Sequence, residues 1–146
     1  MAIWKSLYDV FDKERTRVER TKGTTQAIRY EVEANVRFIA QASQSDMDIA
    51  SIIQGLETQV FNQILKQGGS LSKTLLTEDQ VVGYPEFQFY VGKTANELVH
   101  LGYQRIQLMK KLPVEQASML KIKSLMRFLL LCAFLIDGLA LPKRKV

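Results

Sequence analysis

A single cysteine, Cys132, excludes an intrachain disulfide. It lies inside an apolar run, where a buried thiol is expected to pack as a small hydrophobe and to be inert. The single histidine is as restrictive. Any Ser-His-Asp or Cys-His arrangement has to use His100, and no Gly-x-Ser-x-Gly elbow accompanies it. Glu97 and His100 have the Glu-x-x-His spacing that sets two ligands on one helix face. A di-iron bundle needs two such motifs, so one histidine leaves only a zinc site shared between copies. Proline occurs three times, at Pro85, Pro113 and Pro142, and each marks an expected boundary rather than a flexible, proline-rich stretch.

Other signatures are incomplete. Gly92-Lys93-Thr94 ends like a phosphate-binding P-loop, but the glycine that motif needs five positions earlier is Phe87. The motif of the HEPN-type helical RNases, an Arg shortly before the His, is missing, since residues 94–96 are Thr94, Ala95 and Asn96. With no complete catalytic or metal-ligand set, the expectation is a non-catalytic protein with no cofactor.

Long hydrophobic runs are also scarce. The longest, residues 128–136, is flanked by Arg127 and Asp137 and followed by Gly138, whereas a bilayer span takes about 20 apolar residues. A helix that is apolar all round belongs in the centre of a bundle or in a membrane. The core reading is preferred. The alternative is a short anchor over residues 125–141, with Lys143–Lys145 on the inner side. The N-terminus, MAIWKSLYDVFDKER, meets charge before any useful apolar run, so no secretory leader is expected. With the lone cysteine, this points to a reducing, cytoplasmic setting.

What is present is a globular balance, 47% hydrophobic and 24% charged residues in a chain of 146, enough for one domain over 1–146 with a single core. The net charge of +5 is unevenly placed. Residues 1–102 carry 11 Lys/Arg against 13 Asp/Glu, or −2, and residues 103–146 carry 9 against 2, or +7. The excess comprises Arg105, Lys110, Lys111, Lys121, Lys123, Arg127, Lys143, Arg144 and Lys145. Such asymmetry suggests a polyanion, an acidic protein surface or anionic lipid. The candidate contact residues are Lys110, Lys111, Lys121, Lys123, Lys143, Arg144 and Lys145. For RNA or DNA they would touch the backbone only, because no helix-turn-helix, zinc-finger or RNP-like motif accompanies them.

Periodicity predicts helices at 3–21, 25–42, 47–67, 85–112 and 113–136. In the second, Ile28, Val32, Val36 and Ile39 share one face, and Glu31 and Asn35, four apart, share another. In the third, Ile49, Ile52, Ile53, Leu56, Val60 and Ile64 follow the amphipathic template up to Gly68-Gly69. Ser45 and Asp48 form a capping-box pattern before it. A short helical turn is expected at 71–76, then loop. In the fourth helix, Phe87, Val91, Ala95, Leu98, Leu101 (or Gly102) and Met109 face inward. The alternation of Phe87, Phe89 and Val91 is the only strand-like signal, and it continues into the helical pattern. The expected fold is all-α: a bundle of about five helices, two of them long, with a largely buried C-terminal helix. Its expected role is an interaction module, oligomeric or part of a larger assembly, docking through its basic half.

Overall fold

Nine consecutive apolar side chains leave a helix no polar face, so neighbours must cover it on every side. That is the position of residues 128–136, all of them buried. The computed structural model describes residues 24–68, 71–113 and 118–142. Among them are five α-helices: α1 (Thr24–Ala42), α2 (Ile49–Gly55), α3 (Gln59–Lys66), α4 (Ala95–Lys111) and α5 (Met119–Ile136). Together they form the expected all-α bundle, with α5 at its centre against α1 on one side and α4 on the other. The helix expected at 3–21 lies outside the described residues.

Helix α1 fits its expectation closely. Ile28, Val32, Val36 and Ile39 are buried, and polar residues flank that stripe on both sides. Arg29 reaches Asp137, just beyond the end of α5, at 3.0 Å with both side chains fully buried. The start of α1 therefore lies beside the end of α5, and the two run antiparallel. The Asp137 hydrogen bond and charge outweigh the opposing effect of burial and hold the Arg29 guanidinium above its ordinary range.

The single helix expected at 47–67 is two. Leu56 is extended (φ −70°, ψ 136°) and caps α2, and α3 starts at Gln59. The cause lies in α1. Asn35 clasps the Glu57 backbone from both directions, donating to its carbonyl at 2.9 Å and accepting its N–H at 2.8 Å. Glu31 accepts the N–H groups of Val60 (2.8 Å) and Phe61 (3.1 Å), donors that a continuous helix would have used internally. Gly55 completes the corner, since a Cβ there would lie 2.3 Å from Phe38 Cζ.

The helix expected at 85–112 is also broken. Residues Pro85–Tyr90 form a 3-10 helix, Gly92 turns at φ 92°, and α4 begins after Thr94. Phe87 is buried, but Val91 is not on the inner face of the same helix; Val99, Tyr103 and Ile106 are. The segment expected as a turn at 71–76 is extended and lies against residues 92–96. Leu76 donates to the Lys93 carbonyl (2.9 Å), and Ala95 to that of Thr74 (2.8 Å). A second 3-10 helix, Glu78–Val81, occupies the expected loop.

Helix α5 starts at Met119, capped by Ser118, later than the Pro113 start expected. It ends as expected at Gly138 (φ 70°), where Leu139 donates to the Phe134 carbonyl and Gly138 to that of Leu135, a Schellman stop. The chain then turns back. Leu141 donates to Gln80 O (2.9 Å), and the Tyr84 hydroxyl donates to Pro142 O (2.7 Å).

Two exposed carboxylates cap helices. Asp48 accepts from Ser51 N at 2.7 Å; Ser45 bonds Ala42 and Met47 instead, so the expected Ser45–Asp48 box is not made. The reciprocal box is at Thr94 and Glu97. Hydrogen bonds from the Ser51 and Thr94 backbones hold these carboxyls below their usual range. A pKa lowered on folding stabilises above the unfolded value and is lost as pH falls through the folded one. Asn and Gln keep the shapes of these two residues without titrating. The urea stability difference between wild type and Asp48→Asn/Glu97→Gln should thus be flat from neutrality to about pH 5 and shrink below about pH 4. A difference unchanged down to the most acidic folded sample would contradict this.

Candidate basic interface

The charge asymmetry becomes a surface because α4 and α5 form an antiparallel hairpin. Arg105 lies over Phe128, its Cζ 4.4 Å from the ring centroid. One turn earlier on α4, Gly102 faces Leu129, where an added Cβ would come within 3.0 Å of Cδ2. The end of α4 and the start of α5 therefore share one end of the bundle, joined through residues 112–118. Successive 100° steps put Leu120, Lys121, Lys123, Ser124 and Arg127 on one arc of α5, opposite buried Ile122, Leu125 and Met126. On α4, Leu108 and Lys111 are exposed at the same end.

The expected contact residues do not share one fate. Lys111 and Lys121 are exposed and Lys123 is half-buried. Lys110 turns the other way: its Nζ donates to Leu56 O at 2.7 Å, holding the end of α2 against α4. Lys143, Arg144 and Lys145 lie outside the described residues. At the same end of the hairpin are two exposed apolar side chains that the sequence reading did not single out, Leu108 (57% exposed) and Leu120 (77% exposed).

One turn further along the α5 arc is a hollow of about 200 Å³, walled by the Pro85–Tyr90 helix, α4 and α5. Arg105 is its best-defined element. Its guanidinium lies against Phe128, and its Nη2 donates to the Tyr90 hydroxyl at 2.7 Å. Tyr90 in turn meets Phe128 edge-on, with centroids 5.1 Å apart. Arg127, Ser124 and Glu86 complete the polar lining. Sequence reasoning placed Arg105 and Arg127 in the basic excess but had no means of joining them to Tyr90, which the expected continuous helix would have carried elsewhere.

The remaining candidates resolve into packing. Glu97 caps α4, and His100 Nδ1 lies 2.8 Å from Asn96 O, which requires Nδ1 to carry the proton; its ring meets Phe61 edge-on. Glu31 also accepts from the Tyr103 hydroxyl at 2.8 Å, and Tyr103 stacks on Phe61. Burial, then the Glu31 charge and hydrogen bond, push the Tyr103 phenol far up, and burial does the same to the Cys132 thiol, which leaves both inert. Among the described residues no three His, Cys, Asp or Glu side chains gather as a metal site. Nor is any described helix long and apolar enough to cross a membrane; the run at 125–141 is interrupted by the turn at Gly138. Comparison with protein-family models, curated proteins and solved structures gives no match to this chain.

Proposed function

We propose that the protein is a non-catalytic helical interaction module, a component of a larger assembly, whose basic end docks on an acidic protein partner. The observation that carries this reading is the exposure of Leu108 and Leu120 among Lys111, Lys121 and Lys123. A nucleic-acid backbone rewards cations and hydrogen-bond donors, and bare leucines between them gain little there. Protein interfaces combine an apolar centre with a charged rim, the rim governing encounter and orientation.

The test uses a labelled Asp/Glu-rich peptide carrying leucines, with a short duplex DNA as the competing probe, both at low salt. The peptide should bind, weaken with added salt, and lose about tenfold in affinity to the variant Lys111→Glu/Lys121→Glu/Lys123→Glu. Lys110 is left intact because its bond to Leu56 is structural. Unchanged peptide affinity in the variant would overturn the reading. Tighter binding of the DNA than of the peptide would replace the acidic protein with a nucleic acid.

A further inference from the structure

We infer that the hollow beside Arg105 receives a single carboxylate side chain from an acidic partner peptide, with Phe89 as the adjoining apolar anchor. This rests on the acidic-partner reading above and adds a second, more specific contact to it.

Size is the first argument. At about 200 Å³ the hollow falls below the roughly 300 Å³ at which pockets for whole small molecules begin, and it suits one side chain. Charge is the second. Arg105 and Arg127 line it against one carboxylate, Glu86, so the lining is net positive. The third is preorganisation. Phe128 behind Arg105 and the Tyr90 hydroxyl at its edge fix the plane of the guanidinium. A guanidinium held in that way presents a forked donor edge matched to a carboxylate, with little side-chain freedom left to lose. The fourth is continuity. Ser124 and Arg127 lie on the same arc of α5 as Lys121 and Lys123, so one extended segment reaches both the lysine end and the hollow. Phe89 adds the apolar part. It is 80% exposed, the most exposed large hydrophobic side chain among the described residues, and its ring stands edge-on to Tyr90 at 5.4 Å. Anchors of this kind dominate interface energetics.

The experiment measures binding of two synthetic peptides to the full-length protein: an acidic peptide with one Glu beside a Leu, and the same peptide with Gln in place of that Glu. The Glu peptide should bind about tenfold more tightly than the Gln peptide. Ser124→Glu, at an exposed position, should abolish that preference without lowering the melting temperature. Arg105→Lys, which keeps the charge and removes the fork, should weaken the Glu peptide by about tenfold. Glu86→Gln should tighten it. Equal affinity for the two peptides, no binding to wild type, or a Ser124→Glu variant that keeps the preference would each overturn the proposal. The lysine triple variant separates the two ideas. If it binds normally while Ser124→Glu fails, the hollow stands and the lysine end is not the docking surface. If the triple variant fails while Ser124→Glu keeps the preference, the reverse holds.

Discussion

Asp137→Ala is expected to destabilise the fold by about 3–5 kcal/mol, the usual cost of removing one partner from a buried ion pair. Arg29 lies fully buried near the start of α1 with Asp137 3.0 Å away, and nothing of either side chain reaches water. Removing the carboxylate leaves the guanidinium with its desolvation cost and without the charge that offset it. In a chain of 146 residues, each kcal/mol corresponds to roughly 2–4 °C, so the melting temperature should fall by roughly 10 °C. Urea unfolding at neutral pH measures the loss directly. The pair also ties the start of α1 to the end of α5, so amide exchange should rise first in those two turns. Replacing both partners with apolar residues, as Arg29→Met/Asp137→Leu, should recover much of the loss, because the desolvation cost goes with the charges. A single-variant loss under about 1 kcal/mol would mean that the pair is as well solvated as a surface bridge, and would refute the burial argument.

This pair also shows what the sequence could and could not disclose. The apolar stripe of α1 and the apolar run of α5 were legible because each is a local regularity, and the stop at Gly138 was legible because glycine takes up a positive φ without strain. The link between Arg29 and Asp137 was not, since 108 positions separate them and neither has a local signature. The division of the third expected helix was hidden for a related reason. Ile52, Leu56, Val60 and Ile64 stay in helical phase across the break, and the groups that impose it, Glu31 and Asn35, are on α1. The break before α4 was more accessible. Thr94 and Glu97 carry the capping-box spacing two residues after a glycine, a better signal than the continuous apolar pattern that masked it. In the candidate interface, the basic character of the α4–α5 hairpin was visible from composition. The different orientations of Lys110 and Lys111 follow from a 100° step whose direction only the packing of α2 on α4 defines.

The second large effect should come from Glu31. Its carboxylate is buried and accepts three hydrogen bonds, from the Val60 and Phe61 amides that open α3 and from the Tyr103 hydroxyl of α4. Glu31→Ala strands all three donors in the interior at about 1–3 kcal/mol each, so a loss of roughly 4 kcal/mol is a conservative expectation. Glu31→Gln discriminates a cap from mere packing. The amide keeps one oxygen, enough for Phe61 and Tyr103, but sets an N–H₂ against the Val60 N–H, two donors facing each other. It should therefore cost most of what alanine does despite matching the shape. Tyr103→Phe removes one donor with its acceptor still served by two others, and should cost only about 1 kcal/mol. Hydrogen exchange gives the local readout: Glu31→Gln should expose the Val60 and Phe61 amides well before the middle of α1 or α5 loses protection. If glutamine were tolerated as well as glutamate, the charge would be irrelevant to the corner. The division between α2 and α3 would then rest on Asn35 and on the contact of Gly55 with Phe38 alone.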